Sequence, residues 1–314
     1  MRKQSFNDEL PRFLYKGYPV NYMIPQYMPF DDQQRATQTL GEALNQGEII
    51  LFHGYAGSGK TTVLRRFADN HPSVLFFEDF DSYSPFTMMY EIGNRIGVTL
   101  TRYKADNKAT LIKHLKRQKK VMLMFDEADS TDKHNYGKLN VLRKIYDVAN
   151  IPIVICGCTI FFKYLFRSYG GEQHYAQLTT RALPCKLKGM FKEDAEQYML
   201  TVSHQESIVF DKPAKKTLSS IATKEGRGGI RIFIKLISRC ITLARGEYYR
   251  MEGHEISEDD LQFVECDSFD PDGKEFRVIL PPTPERIVIT GQMIDEESEH
   301  VYIGAKLSEA IDSQ

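Results

Sequence analysis

Two short stretches carry residue types at a spacing suited to phosphate chemistry. Gly54-Tyr55-Ala56-Gly57-Ser58-Gly59-Lys60-Thr61 satisfies G-x-x-x-x-G-K-[ST] at every fixed position, and Thr62 follows it. Glycines let the main chain turn so that its amides converge on an anion, and a helix opening beside Gly59 would add its positive dipole end. Lys60 would reach the outer phosphates of a nucleoside triphosphate, and Thr61 would offer its hydroxyl to Mg2+. Downstream, the apolar run Val121–Phe125 ends in Asp126-Glu127. At a strand end beside that loop, Asp126 would hold Mg2+ through water and Glu127 would polarise an attacking water as general base. That chemistry is hydrolysis of a bound nucleotide, since nothing marks a pocket for a second small substrate. The plainer readings are a glycine-rich turn with no ligand and an ordinary capped strand end. They leave unexplained why the loop falls between a predicted strand and a predicted helix.

Hydrophobic patterning shows the elements that must position these residues. Apolar runs at Glu48–His53, Ser73–Phe77, Val121–Phe125, Ile151–Cys156 and Ala182–Leu187 read as five strands. Helices are expected over 31–45, with Asp31 or Asp32 as cap, and over 60–69, 85–96, 108–118 and 136–149. Alternation of strand and helix implies a parallel sheet covered on both faces. After Lys188 the pattern turns helical, at 192–203, 212–224 and 229–245, with a short helix at 257–264 and an edge strand at Arg286–Thr290. The domain reading is an N-terminal arm (1–30), an α/β nucleotide-binding domain (31–188), a small helical domain (189–266) and an acidic C-terminal tail (267–314).

Composition bounds the class. The chain has 314 residues, 42% of them hydrophobic, enough for a sizeable core. Its longest nearly apolar run, Ile151–Phe162, is too short to span a bilayer, and residues 1–30 hold no apolar stretch of signal-peptide type. A cytoplasmic protein with no membrane partner is expected. Five cysteines, an odd number without a C-x-x-C, read as reduced thiols and not as a metal site. Cys156 and Cys158, two apart in a strand, should share a face. The net charge of −1 hides a division: from Glu252 onward there are 17 acidic and 4 basic side chains, a balance of −13, against +12 for the residues before it. A basic body points to a polyanionic partner; two solvated surfaces of opposite sign are the plainer alternative.

The motifs resemble those of AAA+ ATPases, and more narrowly the transposition-regulator branch typified by TnsC, TniB and MuB. Gly54–Thr61 looks like Walker A and Asp126-Glu127-Ala128-Asp129 like the Walker B run D-E-A-[DH]. The fourth strand leads into Gly157-Cys158-Thr159, where the family has a polar sensor 1 residue. Cys158 is a departure, because a thiol is a weak donor; Thr159 beside it could substitute, and slow hydrolysis would follow if neither positions water well. Leu178-Thr179-Thr180-Arg181 precedes the fifth strand, as a family arginine does, and Gly228-Gly229-Ile230-Arg231 opens a helix as the sensor 2 arginine does. The resemblance implies a P-loop AAA+ αβα sandwich with a helical lid, ATP and Mg2+ as cofactors, and Arg181 acting on the γ-phosphate of a neighbouring subunit in a ring or filament. A surface salt bridge for Arg181 and an interdomain ion pair for Arg231 stay open as readings of the residues alone.

One segment fits a polyanion. Between Arg102 and Lys120 lie eight cations, among them Lys104, Lys108 and Lys113, opposed only by Asp106. Ser130–Lys138, with Lys133 and Lys138, is a second polar, basic-leaning stretch. In the resembling proteins the corresponding loops line duplex DNA, and phosphate contacts of this kind bring affinity with little sequence reading. A solvated basic helix face is the alternative. The resulting expectation is an ATP-dependent, non-sequence-specific, DNA-binding oligomer that recruits or activates a transposase, with a target-selection protein as a further partner. The alternatives are a replication initiator or helicase loader, although no winged-helix domain is evident after the lid, and a protein-binding signalling or defence NTPase switch.

Overall fold

A computed structural model describes residues 14–15, 18–21, 28–101, 106–118, 121–129, 133–165, 176–224, 229–252, 262–266, 275–279 and 286–298. In chain order these form β1 (Leu14–Tyr15), β2 (Tyr18–Asn21), α1 (Asp31–Gln46), β3 (Ile49–Gly54), α2 (Lys60–Asp69), β4 (Val74–Phe77) and α3 (Pro85–Arg95). There follow α4 (Asn107–Arg117), β5 (Met122–Phe125), α5 (Lys133–Ala149), β6 (Ile153–Cys158), α6 (Thr159–Leu165), α7 (Ala176–Thr179) and β7 (Ala182–Leu187). Then come α8 (Lys192–Glu206), β8 (Ile208–Phe210), α9 (Lys212–Ala222), α10 (Gly229–Glu252), β9 (Gln262–Cys266), β10 (Glu275–Ile279), β11 (Ile287–Ile289) and a helix over 291–298. The described residues fall into two compact units, one within 29–189 and one within 1–28, 190–224 and 229–314.

The first unit is the expected αβα sandwich. Its five parallel strands stand in the order β4-β5-β6-β3-β7, so the strand that leads into the glycine loop is interior. The period-2 alternation of a strand divides the core between the two faces. Ile49, Leu51, Leu123, Phe125, Ile153 and Ile155 pack with α3, α4 and α5, while Ile50, Phe52, Met122, Met124, Val154 and Cys156 pack with α1 and α2. The alternation lapses at the end of β6. Cys156 sits with the second cluster, but Cys158 packs against the first, so the two thiols do not share a face. Cys156, Cys158, Cys185 and Cys240 are free thiols.

Helix starts follow local chemistry, with one departure. Ser84 caps α3 by accepting from the Thr87 N–H at 3.0 Å, with Pro85 at the first helical position. Asp31 and Asp32, expected as caps, lie inside the first turn of α1, which Phe30 precedes. The Asp32 carboxylate is turned to another task. It accepts from the main-chain N–H groups of Lys188 (2.6 Å) and Gly189 (3.1 Å) and pairs with Arg35 at 2.6 Å.

The second unit is more than a helical bundle. Beside α8, α9 and α10 it contains the sheet β1-β2-β10-β9, and the expected helix over 257–264 gives way to β9 at Gln262–Cys266. The edge strand expected at 286–290 is β11, and it pairs in parallel with β8. The stretch read as an acidic tail is therefore folded over 286–298. Ile289 and Ile294 are fully buried, the Met293 carbonyl accepts from the Cys240 thiol at 3.8 Å, and Glu297 pairs with Arg239. Among the described residues no helix is long and apolar enough to cross a membrane.

If β11 is an integral strand, Ile289→Ala should cost about 2–5 kcal/mol in urea unfolding. Its half-exposed neighbour Val288→Ala should stay within about 0.5 kcal/mol.

Candidate active site

The glycine loop joins the C-terminal end of β3 to the start of α2. Gly57 (φ 75°) and Gly59 (φ 90°) adopt the left-handed conformation that side chains disfavour. At Gly54 the constraint is space: a Cβ there would stand 2.6 Å from the Leu187 carbonyl oxygen and 2.8 Å from Ser58 Oγ. The Ser58 hydroxyl is buried and has no hydrogen-bond partner among the described residues. Tyr55 and Ala56 complete the turn, closed by the Ser58 N–H donating to the Tyr55 carbonyl at 3.2 Å. A turned main chain, a cradle that a Cβ would fill and an orphaned hydroxyl together fit a phosphate group.

Lys60 and Thr61 occupy the first turn of α2, and Thr62 follows on its exposed side. The Lys60 ammonium donates to the carbonyls of Gly54 (3.1 Å) and Tyr55 (3.2 Å), which holds it at the loop mouth. Thr61 Oγ1 donates to Asp126 Oδ2 at 2.6 Å, joining the two residues expected to hold Mg2+. Asp126 is almost fully buried at the end of β5, and its other oxygen accepts from the Glu127 N–H at 2.9 Å. The donor set, one hydroxyl and one carboxylate beside a phosphate cradle, suits a hard cation that keeps much of its water shell. When bound, Mg2+ would neutralise charge on the phosphates.

Glu127 reaches solvent and has a left-handed backbone, φ 59°. Desolvation by the surrounding protein raises its carboxyl above the ordinary value, and the charges of Asp126, Asp79, Asp129 and Asp81 raise it further. A carboxylate moved in that direction is a better proton acceptor near neutral pH. Asp79 and Asp81 were not singled out from the sequence. The available signal was their place in Glu78-Asp79-Phe80-Asp81, directly after the strand that neighbours β5.

At the end of β6, the side chains of Cys158 and Thr159 have different surroundings. Cys158 Sγ accepts from the Phe161 N–H at 3.4 Å and so helps cap α6, while its own N–H donates to Asp129. Thr159 Oγ1 is buried and without a hydrogen-bond partner among the described residues. His53, one residue before the loop, was also missed. Burial, then the charges of Lys186 and Lys60, hold its imidazole below the ordinary value.

The remaining candidates separate. Arg181 is half-exposed and pairs with Asp147 of α5 at 3.1 Å. Arg231 lies in the first turn of α10, in the second unit. Lys108 is half-buried and Lys113 exposed on α4, whose opposite face buries Leu111, Ile112 and Leu115. Lys133 opens α5. Arg102 and Lys104 lie outside the described residues. Lys138 must be corrected as a DNA contact: it is 1% exposed, and its ammonium donates to the carbonyls of Phe80 (2.6 Å) and Asp81 (3.3 Å). A cation so enclosed offers nothing to an external phosphate.

Residues 44–165 match the AAA domain family. No curated protein matches the chain. Among solved structures, similar chains include the Aeropyrum pernix ORC1 protein in complex with DNA, at 16% identity and TM-score 0.48 over 74% of this chain and 63% of that one. They also include the Aeropyrum pernix ORC2 protein, at 15% and 0.49 over 76% and 68%. Domain III of the Thermotoga maritima replication initiation protein DnaA matches at 14% and 0.43, over 77% and 95%. The chain thus spans less than two thirds of the ORC1 protein's length.

Two expectations follow from this geometry. Lys60→Ala should abolish detectable ATP binding in a titration, whereas Glu127→Gln should keep it and lose about 10²–10⁴-fold in turnover. If Glu127 is the general base it must be ionised to act, and because its carboxyl is raised, the acid limb of the kcat–pH profile should lie above the range of an ordinary glutamate. Asp79→Asn removes one raising charge at a left-handed position that Asn tolerates, so it should move that limb to lower pH.

Proposed function

Given an AAA-type P-loop ATPase domain at residues 44–165, we propose that this protein is an ATP-dependent, oligomeric, duplex-DNA-binding regulator of DNA transposition. ATP at subunit junctions favours assembly on DNA, the assembly recruits or activates a transposase at the target, and hydrolysis releases it. The observation that carries the DNA-binding part is the two-faced helix α4. Its apolar side is buried in the α/β core, and Lys113, Lys116 and Arg117 stand on its exposed side in a segment with a single opposing acid. Such a face suits phosphate contacts, which are salt-sensitive and indifferent to sequence. The transposition assignment is supported by the D-E-A-D run at Asp126–Asp129 and by the glycine–arginine lid entry at Gly229–Arg231.

In this reading Arg181 exchanges its partner Asp147 for the γ-phosphate of a neighbouring subunit, where a guanidinium stabilises charge in the transition state. Arg231 is assigned the sensing of the γ-phosphate within its own subunit. Thr159 takes the water-positioning role that the Cys158 thiol performs poorly.

Retention of random-sequence duplex DNA should require a non-hydrolysable ATP analogue and fall steeply with salt. Lys113→Glu with Lys116→Glu should weaken it at least tenfold while leaving ATP binding unchanged. Arg181→Ala should lower assembly-dependent turnover by about 10³-fold without loss of ATP affinity. Electron microscopy of the DNA–analogue complex should show a ring or filament. Retention that ignores nucleotide, or a protein that stays monomeric on DNA, overturns the proposal in favour of a protein-binding switch. A transposase whose activity is unmoved by the assembled protein overturns the transposition assignment.

A further inference from the structure

Lys138 is costly to bury, and among the described residues no ion pair accounts for it. Taking an ammonium out of water is unfavourable unless it is paired and fully hydrogen-bonded. Among the described residues no carboxylate oxygen lies within ion-pair distance of it. Its neighbours are the carbonyl oxygens of Phe80 and Asp81 and the face of the Phe80 ring, 4.3 Å from Nζ. Burial lowers its pKa, which Asp81 and Asp79 partly offset. An apolar side chain would fill the same space without that cost, so the contacts need a reason beyond packing.

The reason lies in what those carbonyls belong to. Phe80–Ser82 is a single 3-10 turn following β4. The Phe80 N–H donates to the Asp126 carbonyl at 2.9 Å, and the Asp81 carboxylate accepts from the Asp129 N–H at 3.1 Å. The turn therefore grips the chain on both sides of Glu127, whose left-handed backbone is held only if its surroundings fix it. Lys138 holds the turn, and α5 holds Lys138. At the adjacent Gly137 a Cβ would stand 2.9 Å from Pro85 Cγ, so the helix lies close against the start of α3. The other end of this lever is Lys133, the first residue of α5, in the basic-leaning stretch read as a DNA contact.

We infer that Lys138 is a positioning residue for Glu127, through which a DNA phosphate backbone engaged at the N-terminal end of α5 sets the rate of hydrolysis. The DNA arm rests on the duplex-DNA binding proposed in the preceding subsection, with Lys133 as a further contact beside the α4 face; the positioning arm does not.

The test is Lys138→Met in the full chain, with ATP affinity, DNA retention, melting temperature and kcat measured with and without duplex DNA. The expected result is ATP affinity and DNA retention within about twofold of the parent. Basal kcat should fall about tenfold, and the response of kcat to DNA should be lost. A kcat equal to the parent's, or a loss confined to ATP affinity, overturns the inference. If the variant melts below the assay temperature, Asp81→Ala decides. It removes the grip on Asp129 and should lower kcat several-fold with ATP affinity kept, whereas a parental kcat overturns the inference. A parent protein that retains no DNA overturns the preceding proposal and with it the DNA arm, and the basal kcat of Lys138→Met then decides the positioning arm.

Discussion

The hydrogen bond from Thr61 to Asp126 sets the terms for much of the α/β unit. A carboxylate as enclosed as Asp126 is tolerated only with its oxygens engaged, and each bond to a charged acceptor contributes about 1.5–3 kcal/mol. One donor comes from the first turn of α2 and the other from the next main-chain N–H. β3 and β5 are not neighbours, because β6 lies between them. The loop after β3 must therefore pass over the end of β6 to bring Thr61 to β5. Main chain crowds main chain along this end of the sheet, and glycines at the ends of β3 and β6 have no room for a side chain there. A Cβ on Gly157 would meet the Ala128 carbonyl at 2.5 Å, and one on Gly54 would meet Leu187 at nearly the same distance.

What was legible in the sequence follows from this arrangement. The proposed phosphate cradle is built from eight contiguous residues whose types answer local demands, so the loop, Lys60, Thr61 and the strand before them could be read directly. Of the five parallel strands, β3, β5 and β6 are buried on both faces and so read as continuous apolar runs, while the edge strands β4 and β7 keep partly exposed positions. Boundaries moved by one or two residues where an apolar residue such as Ile151 is buried just outside its strand. The second unit was harder. β8 is three residues long and gains its partner from β11, nearly eighty residues away, so no local period announces it. The acid count over the C-terminal stretch says nothing of its fold beyond the edge strand expected at 286–290, yet Ile289 and Ile294 lie within it and are buried.

Lys138 illustrates a different limit. A lysine in a basic-leaning stretch is most simply a surface charge. Nothing near it in sequence reveals that the carbonyls of Phe80 and Asp81, 58 and 57 residues earlier, will enclose it. Arg181 is the converse case. Its pairing with Asp147 was one of the readings open from the residue alone, and the geometry contains it. That pair is only partly shielded from water, where ion pairs contribute little, so it opposes a competing phosphate weakly.

In the proposed mechanism, binding and turnover therefore fall to different parts of the fold. The residues assigned to phosphate lie on one loop and the helix it opens. The residues around Glu127 come from the turn after β4, from β5 and from α5, and they meet only through tertiary contacts. Two acidic residues in this region, Asp79 and Glu127, have left-handed backbones at φ 57° and 59°. Conformations of that kind cost about 1–3 kcal/mol each and persist only where neighbours over-determine them. Here the neighbours are the Phe80–Asp126 and Asp81–Asp129 hydrogen bonds, and both depend on a turn anchored by one buried ammonium. A constraint of this type can be relaxed without disturbing the phosphate loop, and that separation allows hydrolysis to be adjusted while nucleotide stays bound.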